Sequence, residues 1–329
     1  MNPANPIYEP DSPQYITVMR WMTGKAEQTP VVRYRLFAPV VPALAALVGP
    51  IVGEHGSWLI LNLLFLIGTV LLCFRLILRL GYPPSTAVAG AVMLSTAMPV
   101  LAWSATVLVD MASWFAAAML VNLAWRKQRN AVADTLLAAF ACALAVLVKP
   151  TLAAVVAFFF LHEWLVRGNL RRAMAIGATA MTLVCAYYLL MRLGPADFLY
   201  AGRPRHRHML LLLSSQALAF NALIPLSAAT LVSRRARQRI PKKLLLSLGI
   251  LLACTLMEFA FFVHATRLAF ISWPFWVVLS GILAGEFCDT RIKRALLLCG
   301  VILSSFLSAW IYANDTVLEI AKSIVGMSW

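Results

Sequence analysis

Charged residues are scarce in this sequence, and acidic residues are the scarcest. Lysine and arginine contribute 28 of the 329 residues, whereas aspartate and glutamate together contribute 13. Charged residues make up 12% of the chain and hydrophobic residues 62%, compared with roughly 25% and 45–50% in a soluble globular domain. This balance excludes a water-soluble fold.

The spacing of the cysteines indicates no site, and the standard catalytic motifs are absent from the sequence. The six cysteines stand singly in or beside apolar runs, without a CxxC pair, and are interpreted as buried thiols. The chain also lacks a GxxxxGKS/T phosphate loop, a GxSxG nucleophile elbow, an HExxH helix and a glycine-rich dinucleotide turn. These absences argue against a disulfide framework, a metal centre and nucleotide-driven transport by this chain.

Long apolar runs separated by short polar stretches dominate what is present. Together with a mean hydropathy of +0.82, they predict a polytopic membrane protein built of helices. Tryptophans near the run ends, including Trp58, are interpreted as interfacial belts. The runs predict about ten spans, at 58–78, 85–103, 107–125, 135–148, 150–166, 173–192, 210–232, 244–265, 268–287 and 295–313.

Basic clusters occupy alternate connections between these spans and hold more than half of the 28 lysines and arginines. Because cytoplasmic loops of membrane proteins are enriched in these residues, the clusters predict which loops face the cytoplasm. They also account for the net charge of +15 without a nucleic-acid partner. The clusters are Arg75 with Arg79, and the runs at 126–129, 167–172, 233–243 and 290–294.

Residues 36–52 are apolar but contain Pro39, Pro42 and Pro50, which favours a bent juxtamembrane segment over a straight span. The predicted fold class is therefore all-α, a polytopic transmembrane helix bundle of about ten spans plus this bent segment. We expect three parts: an outer-face N-terminal segment at 1–52, a transmembrane domain at 53–313 and a short tail at 314–329.

Three acidic or basic residues on the outer face are candidate site residues. Asp11 precedes Ser12 and Pro13, a pattern typical of a helix N-cap, but its carboxylate could also act as a general base at the mouth of a membrane cavity. Asp110 and Lys149 lie at the outer ends of apolar helices. Because ionisable groups at that depth need a partner or water, they indicate either a functional cavity or a structural ion pair with each other.

The loop at 192–209 carries a cationic cluster on the outer face, against the usual charge bias. A bound anion such as a lipid phosphate would compensate this charge; unspecific headgroup binding or a different topology are the alternatives. Without a nearby cysteine and with only Asp197 as an acid, its two histidines are interpreted as polar or cationic contacts rather than metal ligands. The candidates are Arg203, Arg205, Arg207, His206 and His208.

A series of short motifs, read in order along residues 8–165, resembles the polyprenyl-phosphate-sugar-dependent glycosyltransferases of the GT-C superfamily. This class includes protein mannosyltransferases and lipid A aminoarabinose transferases. Each motif is degenerate, and the order and sidedness of the motifs carry the resemblance. The motifs are Asp11 with Tyr15 and Gly24, Arg35 with Pro39, Asn62, RLGYPP at 79–84, Pro99 with Asp110, and VKPT at 148–151.

The resemblance implies an integral membrane transferase with its active site facing the periplasm or exterior. Arginine-rich inner loops favour a bacterial inner (plasma) membrane. The implied donor is a polyprenyl-phosphate-linked sugar held among membrane lipids, and the implied acceptor is a glycan, lipid or protein. Asp11 matches the family's catalytic acid, with Tyr15 in the same cavity, while Lys149 and Arg35 match basic residues near the donor phosphate.

Two departures from the family pattern shape these expectations. Ser12 stands where many relatives carry a second acid, so no cofactor is defined and a divalent cation stays open as an alternative. The family normally begins with a span ahead of Asp11, and we expect this span to be missing or truncated here.

The implied reaction is an inverting displacement at the anomeric carbon of the sugar. In it Asp11 accepts the proton of the acceptor hydroxyl, and the basic residues offset the charge on the leaving phosphate. The competing hypotheses are a transporter or flippase for a lipid-linked sugar or anionic solute, and a non-catalytic GT-C-like subunit.

Overall fold

The computed structural model describes residues 12–104, 106, 108–194, 197, 217, 219–261, 270–287 and 290–313, and these residues form helices and connections without strands. The α-helices are α1 (Ser12–Met22), α2 (Pro30–Arg35), α3 (Val40–Val52), α4 (Glu54–Arg79), α5 (Pro84–Ser95), α6 (Met98–Trp103), α7 (Asp110–Ala124), α8 (Ala131–Val148), α9 (Ala153–Leu161), α10 (Leu170–Leu190), α11 (Leu223–Val232), α12 (Arg234–Arg239), α13 (Lys242–Phe261), α14 (Trp273–Phe287) and α15 (Arg291–Ala313). Short 3₁₀ turns at Pro150–Leu152 and Phe270–Ser272 precede α9 and α14, and a π-helical turn at His162–Val166 follows α9.

The predicted all-α class is confirmed. Within the described residues, four helices are long and apolar enough to cross a membrane: Glu54–Arg79, Ala131–Val148, Leu170–Leu190 and Arg291–Trp310. Shorter apolar helices occupy several of the other predicted spans. The described part of the bundle therefore combines long apolar helices with several shorter ones.

The predicted span at 85–103 is not one helix. Helix α5 ends at Ser95, and α6 begins at Met98 with Pro99 in its first turn. Proline fits the first turn of a helix but disfavours a longer continuous helix around it, because it lacks the N–H donor and its ring collides with the preceding turn. The chain therefore breaks just before Pro99.

Most of the proline-rich juxtamembrane segment at 36–52 forms the single helix α3. Its 13 residues extend about 20 Å, which is short of the roughly 30 Å of a hydrocarbon core. Leu47 and Ile51 are 74% and 84% exposed. Gly53, whose φ of 81° few other residues adopt, connects α3 directly to α4.

Interhelical contacts place three of the basic clusters, those of Arg79, 126–129 and 167–172, together at one end of the bundle. Arg167 donates to the carbonyls of Ala124 and Arg126 at 2.5 and 2.6 Å, and Arg79 donates to the Asn122 carbonyl at 2.5 Å. We call this end, defined by Arg126, Arg167 and Arg172, the Arg167 end. The opposite end, where α7 begins and α8 finishes, is called the Lys149 end.

Helices α5 and α14 cross at backbone contact. A Cβ atom on Gly281 would lie 3.5 Å from the Thr86 carbonyl oxygen and 3.6 Å from the Gly90 Cα, and one on Gly285 would overlap the Thr86 hydroxyl. Small residues permit this close approach, as at many membrane helix interfaces. The crossing joins the first half of the chain to the second.

The interpretation of all cysteines as buried thiols is partly wrong. Cys73, Cys142 and Cys254 are buried, whereas Cys185 on α10 and Cys299 on α15 are exposed. The outer surface of a membrane bundle faces lipid, so an apolar run does not require burial inside the protein.

Candidate functional site

Asp110 and Lys149 form an ion pair with 2.7 Å between Oδ1 and Nζ. Asp110 is the first residue of α7, and Lys149 follows the last residue of α8. Pro150 favours the extended backbone of Lys149, which ends the helix there. The dipoles of the two helices favour a carboxylate at the first position and an ammonium at the second. The local sequence thus puts opposite charges at two helix ends, and the packing of the bundle brings these ends together.

The two partners differ in their access to the surroundings. The side chain of Asp110 is 2% exposed and that of Lys149 is 18% exposed. The structural ion pair left open by the sequence is therefore present. An ammonium has three N–H donors, so the partly exposed Lys149 can contact both Asp110 and an anionic ligand.

Arg35 and Tyr15, two further predicted site residues, are in direct contact. Arg35 donates to the Tyr15 hydroxyl at 3.0 Å and to the Gln14 side-chain oxygen at 2.8 Å. Its guanidinium also lies 4.5 Å from the centre of the Tyr15 ring, within the range of a cation–π interaction. The contact fixes α2 against α1. Sequence reasoning did not single out Gln14.

A series of contacts connects this arginine–tyrosine pair to the start of α7. The rings of Tyr15 and Trp58 are 5.8 Å apart. Asn62 follows Trp58 by one turn of α4 and donates to the Thr106 carbonyl at 2.5 Å, and Thr106 lies four residues before Asp110. The Asp110–Lys149 and Arg35–Tyr15 contacts therefore both belong to the Lys149 end.

Several buried polar atoms near these contacts have no hydrogen-bond partner among the described residues. They include Trp58 Nε1, Asn62 Oδ1 and Thr151 Oγ1. Because buried polar groups in native proteins are nearly always paired, these atoms indicate where water or ligand atoms complete the site. The interpretation of Trp58 as part of an interfacial belt is wrong, since its side chain is fully buried.

The N-terminal segment also contacts the start of the loop after α10. Arg33 donates to both carboxylate oxygens of Asp197 at 2.7 and 2.9 Å, and Tyr187 donates to the Leu36 carbonyl at 3.0 Å. The Arg33 guanidinium, helped by the Gly194 N–H, lowers the pKa of Asp197 to about 2. The loop therefore leaves the bundle at the same end as α1 and α2, a contact that the sequence did not predict.

Several predicted site residues lie outside the described part of the chain. Among the residues that are described, no three His, Cys, Asp or Glu side chains are grouped as a metal site. Ser12, the first described residue, is fully buried. The predicted residues beyond the described ranges are Asp11, Arg203, Arg205, Arg207, His206 and His208.

Comparison with known proteins shows the fold. No family model matches the sequence, and no curated protein matches it. Among solved structures, the chain is similar to ArnT from Cupriavidus metallidurans in the apo state, with a TM-score of 0.69 and 13% sequence identity over 89% of this chain and 58% of that chain. ArnT belongs to the GT-C superfamily. The protein is thus an integral membrane protein with the GT-C fold, and it spans about 58% of the length of that relative.

Proposed function

We propose that the protein is a membrane glycosyltransferase that moves a sugar from a polyprenyl-phosphate donor to an envelope or lipid acceptor. The observation that carries this proposal is the Asp110–Lys149 ion pair at 2.7 Å on a GT-C fold. Its lysine remains partly exposed at the end of the bundle where Arg35 and Tyr15 also meet. A site of this kind suits a lipid-linked phosphate.

Each cation in the proposed site has a separate task. Lys149 contacts the donor phosphate and offsets the charge that grows on it as the anomeric C–O bond breaks. Asp110 holds the lysine ammonium in place, and Arg35, oriented by Tyr15, adds a second positive charge. The loop residues Arg203, Arg205 and Arg207 complete the phosphate contacts, and His206 and His208 add polar ones.

Asp11 accepts the proton of the attacking hydroxyl in the proposed reaction. The acceptor oxygen forms a bond to the anomeric carbon from the face opposite the departing phosphate, so the configuration inverts. Because α1 starts at Ser12, which is buried beside the bundle, Asp11 immediately precedes a helix that contributes Tyr15 to the site. In the bacterial inner membrane, this end of the protein faces the periplasm.

The test is transfer by purified protein in detergent, with a panel of polyprenyl-phosphate sugars and candidate acceptors. We expect Asp11→Asn to lower transfer by at least 10²-fold, the lower end of a general-base contribution, while thermal stability stays unchanged. Glu9→Gln, which removes a neighbouring acid, is the matched control and should retain activity. Full activity in Asp11→Asn would remove Asp11 from the mechanism.

Two further outcomes would replace the proposal. Movement of a labelled lipid-linked sugar across a vesicle membrane, without a new glycosidic bond, would identify a transporter. Binding of the lipid-linked sugar with neither transfer nor movement would identify a non-catalytic subunit.

A further inference from the structure

An apolar groove runs along α13, away from the Lys149 end. All of its lining residues lie on this one helix, so the groove is an open, shallow face with a volume of about 520 Å³. Its lining residues recur every three or four positions and so form one stripe about 16 Å long on the helix. They are Lys242, Leu245, Leu246, Gly249, Ile250 and Ala253.

Gly249 leaves the middle of this groove open. A Cβ atom added there would meet no described residue within 4 Å, so close packing against the described helices does not require the glycine. Leu246 beside it is 48% exposed. The groove therefore offers apolar side chains to a hydrocarbon chain without any rearrangement of the helix.

The groove ends in positive charge. Lys242 begins α13, whose first turn contains no acidic residue. Ala236 in the neighbouring helix α12 and Ile240 directly after it are 0% and 6% exposed, whereas Arg234 and Arg237 of this helix are exposed. The apolar stripe is thus continuous with a cationic surface, which matches a molecule with a hydrocarbon chain and an anionic head.

A contact of α13 with the π-helical turn shows at which end of the bundle the charged end of the groove lies. Ser247 lies 2.8 Å from the His162 ring nitrogen Nδ1, and His162 begins the π-helical turn that leads to Arg167. Lys242 therefore lies at the Arg167 end, among the basic clusters and on the opposite side of the bundle from Lys149. Basic pockets between membrane helices on that side are typical sites for anionic lipid headgroups.

We propose that this groove binds one anionic glycerophospholipid, with an acyl chain along Leu245, Gly249 and Ala253 and the phosphate on Lys242. The site is independent of the proposed glycosyl transfer. It lies at the other end of the bundle and shares no residue with it.

The experiment measures retention of phosphatidylglycerol and phosphatidylcholine by the full chain, reconstituted with an equimolar mixture and examined by native mass spectrometry. Lys242→Gln should weaken phosphatidylglycerol binding about fivefold, the effect of one cation near a headgroup, and leave phosphatidylcholine unchanged. Lys243→Gln, which removes the adjacent exposed lysine outside the groove, is the matched control and should change binding less than about twofold.

A second variant fills the groove itself. Gly249→Phe should lower phosphatidylglycerol retention more than about tenfold, because the ring occupies the space of the acyl chain. Gly300→Phe is its control, since Gly300 is also an exposed helical glycine, and no described residue lies within 4 Å of a Cβ added there. Equal retention by the Gly249 and Gly300 variants, or equal loss of both lipids in Lys242→Gln, would overturn the proposal. The proposal would also be overturned if the wild type retained no lipid and Gly249→Phe lowered the thermal stability. That result would mean that protein side chains fill the groove.

Discussion

Breaking the Asp110–Lys149 ion pair should have unequal effects from its two sides. Lys149→Met removes the cation that neutralises a carboxylate only 2% exposed, whereas Asp110→Asn leaves an ammonium that is 18% exposed. A long lysine side chain can extend its charge towards polar surroundings, but the short aspartate at the start of α7 cannot. We therefore expect Lys149→Met to be the more destabilising substitution.

The structure sets the size of both effects. Charges about 4 Å apart attract by about 4 kcal/mol at an effective dielectric constant near 20. Leaving a buried charge unpaired costs about 3–5 kcal/mol, and the N-terminus of α7 recovers about 1 kcal/mol of this for a carboxylate. Lys149→Met should therefore lower the free energy of unfolding by about 2–4 kcal/mol, and Asp110→Asn by about 1–2 kcal/mol.

A double-mutant cycle tests this reasoning. The unfolding free energies of the wild type, Lys149→Met, Asp110→Asn and the double variant are measured in mixed micelles by tryptophan fluorescence. Because the double variant leaves no unpaired charge, its loss should be smaller than the sum of the single losses by at least about 1 kcal/mol. Losses that add to within about 0.5 kcal/mol would refute the energetic coupling of the two side chains.

The remaining predictions concern the other ion pairs. Glu163→Gln removes the partner of Arg172, whose side chain is 9% exposed, and should cost about 3–5 kcal/mol in the same assay. Its control, Glu54→Gln, should cost at most about 1 kcal/mol, because the partner Arg20 is 49% exposed; equal losses would contradict the role of burial. Asp197 has a pKa of about 2, below the ordinary value near 3.9, so its stabilising effect is complete above about pH 4 and disappears as the pH falls through 2. The difference in Tm between the wild type and Asp197→Asn should close over that range, and a constant difference from pH 5 to 2 would contradict the assignment.

Local signals predicted where several helices end. Pro150 predicted the break after α8, because a residue before proline avoids the helical conformation, and α8 ends at Val148. The break between Ser95 and Met98 was missed because the hydrophobic run continues across it. Hydropathy alone does not separate one long helix from two short ones.

The sequence predicted contacts in the candidate site only where both residues lie at helix ends on the same side of the bundle. Asp110 and Lys149 both fall at predicted outer ends, so their pairing was one of two expectations. The contact of Arg33 with Asp197 spans 164 positions of the sequence and depends on how a loop meets α2. No periodicity or local motif carries that information. The burial of Trp58 likewise depends on α1 covering it, and α1 is separated from it by two other helices.

The glycine crossing of α5 and α14 has a consequence for biosynthesis. A helix as short as α5, with its 12 residues, gains little from the bilayer alone. The ribosome synthesises Gly281, on the partner helix α14, roughly 190 residues after Gly90. At usual translation rates this delay is about 10–40 s. Throughout that interval the nascent chain presents an unfilled notch of small side chains, which lipids or the insertion machinery must shield until α14 emerges.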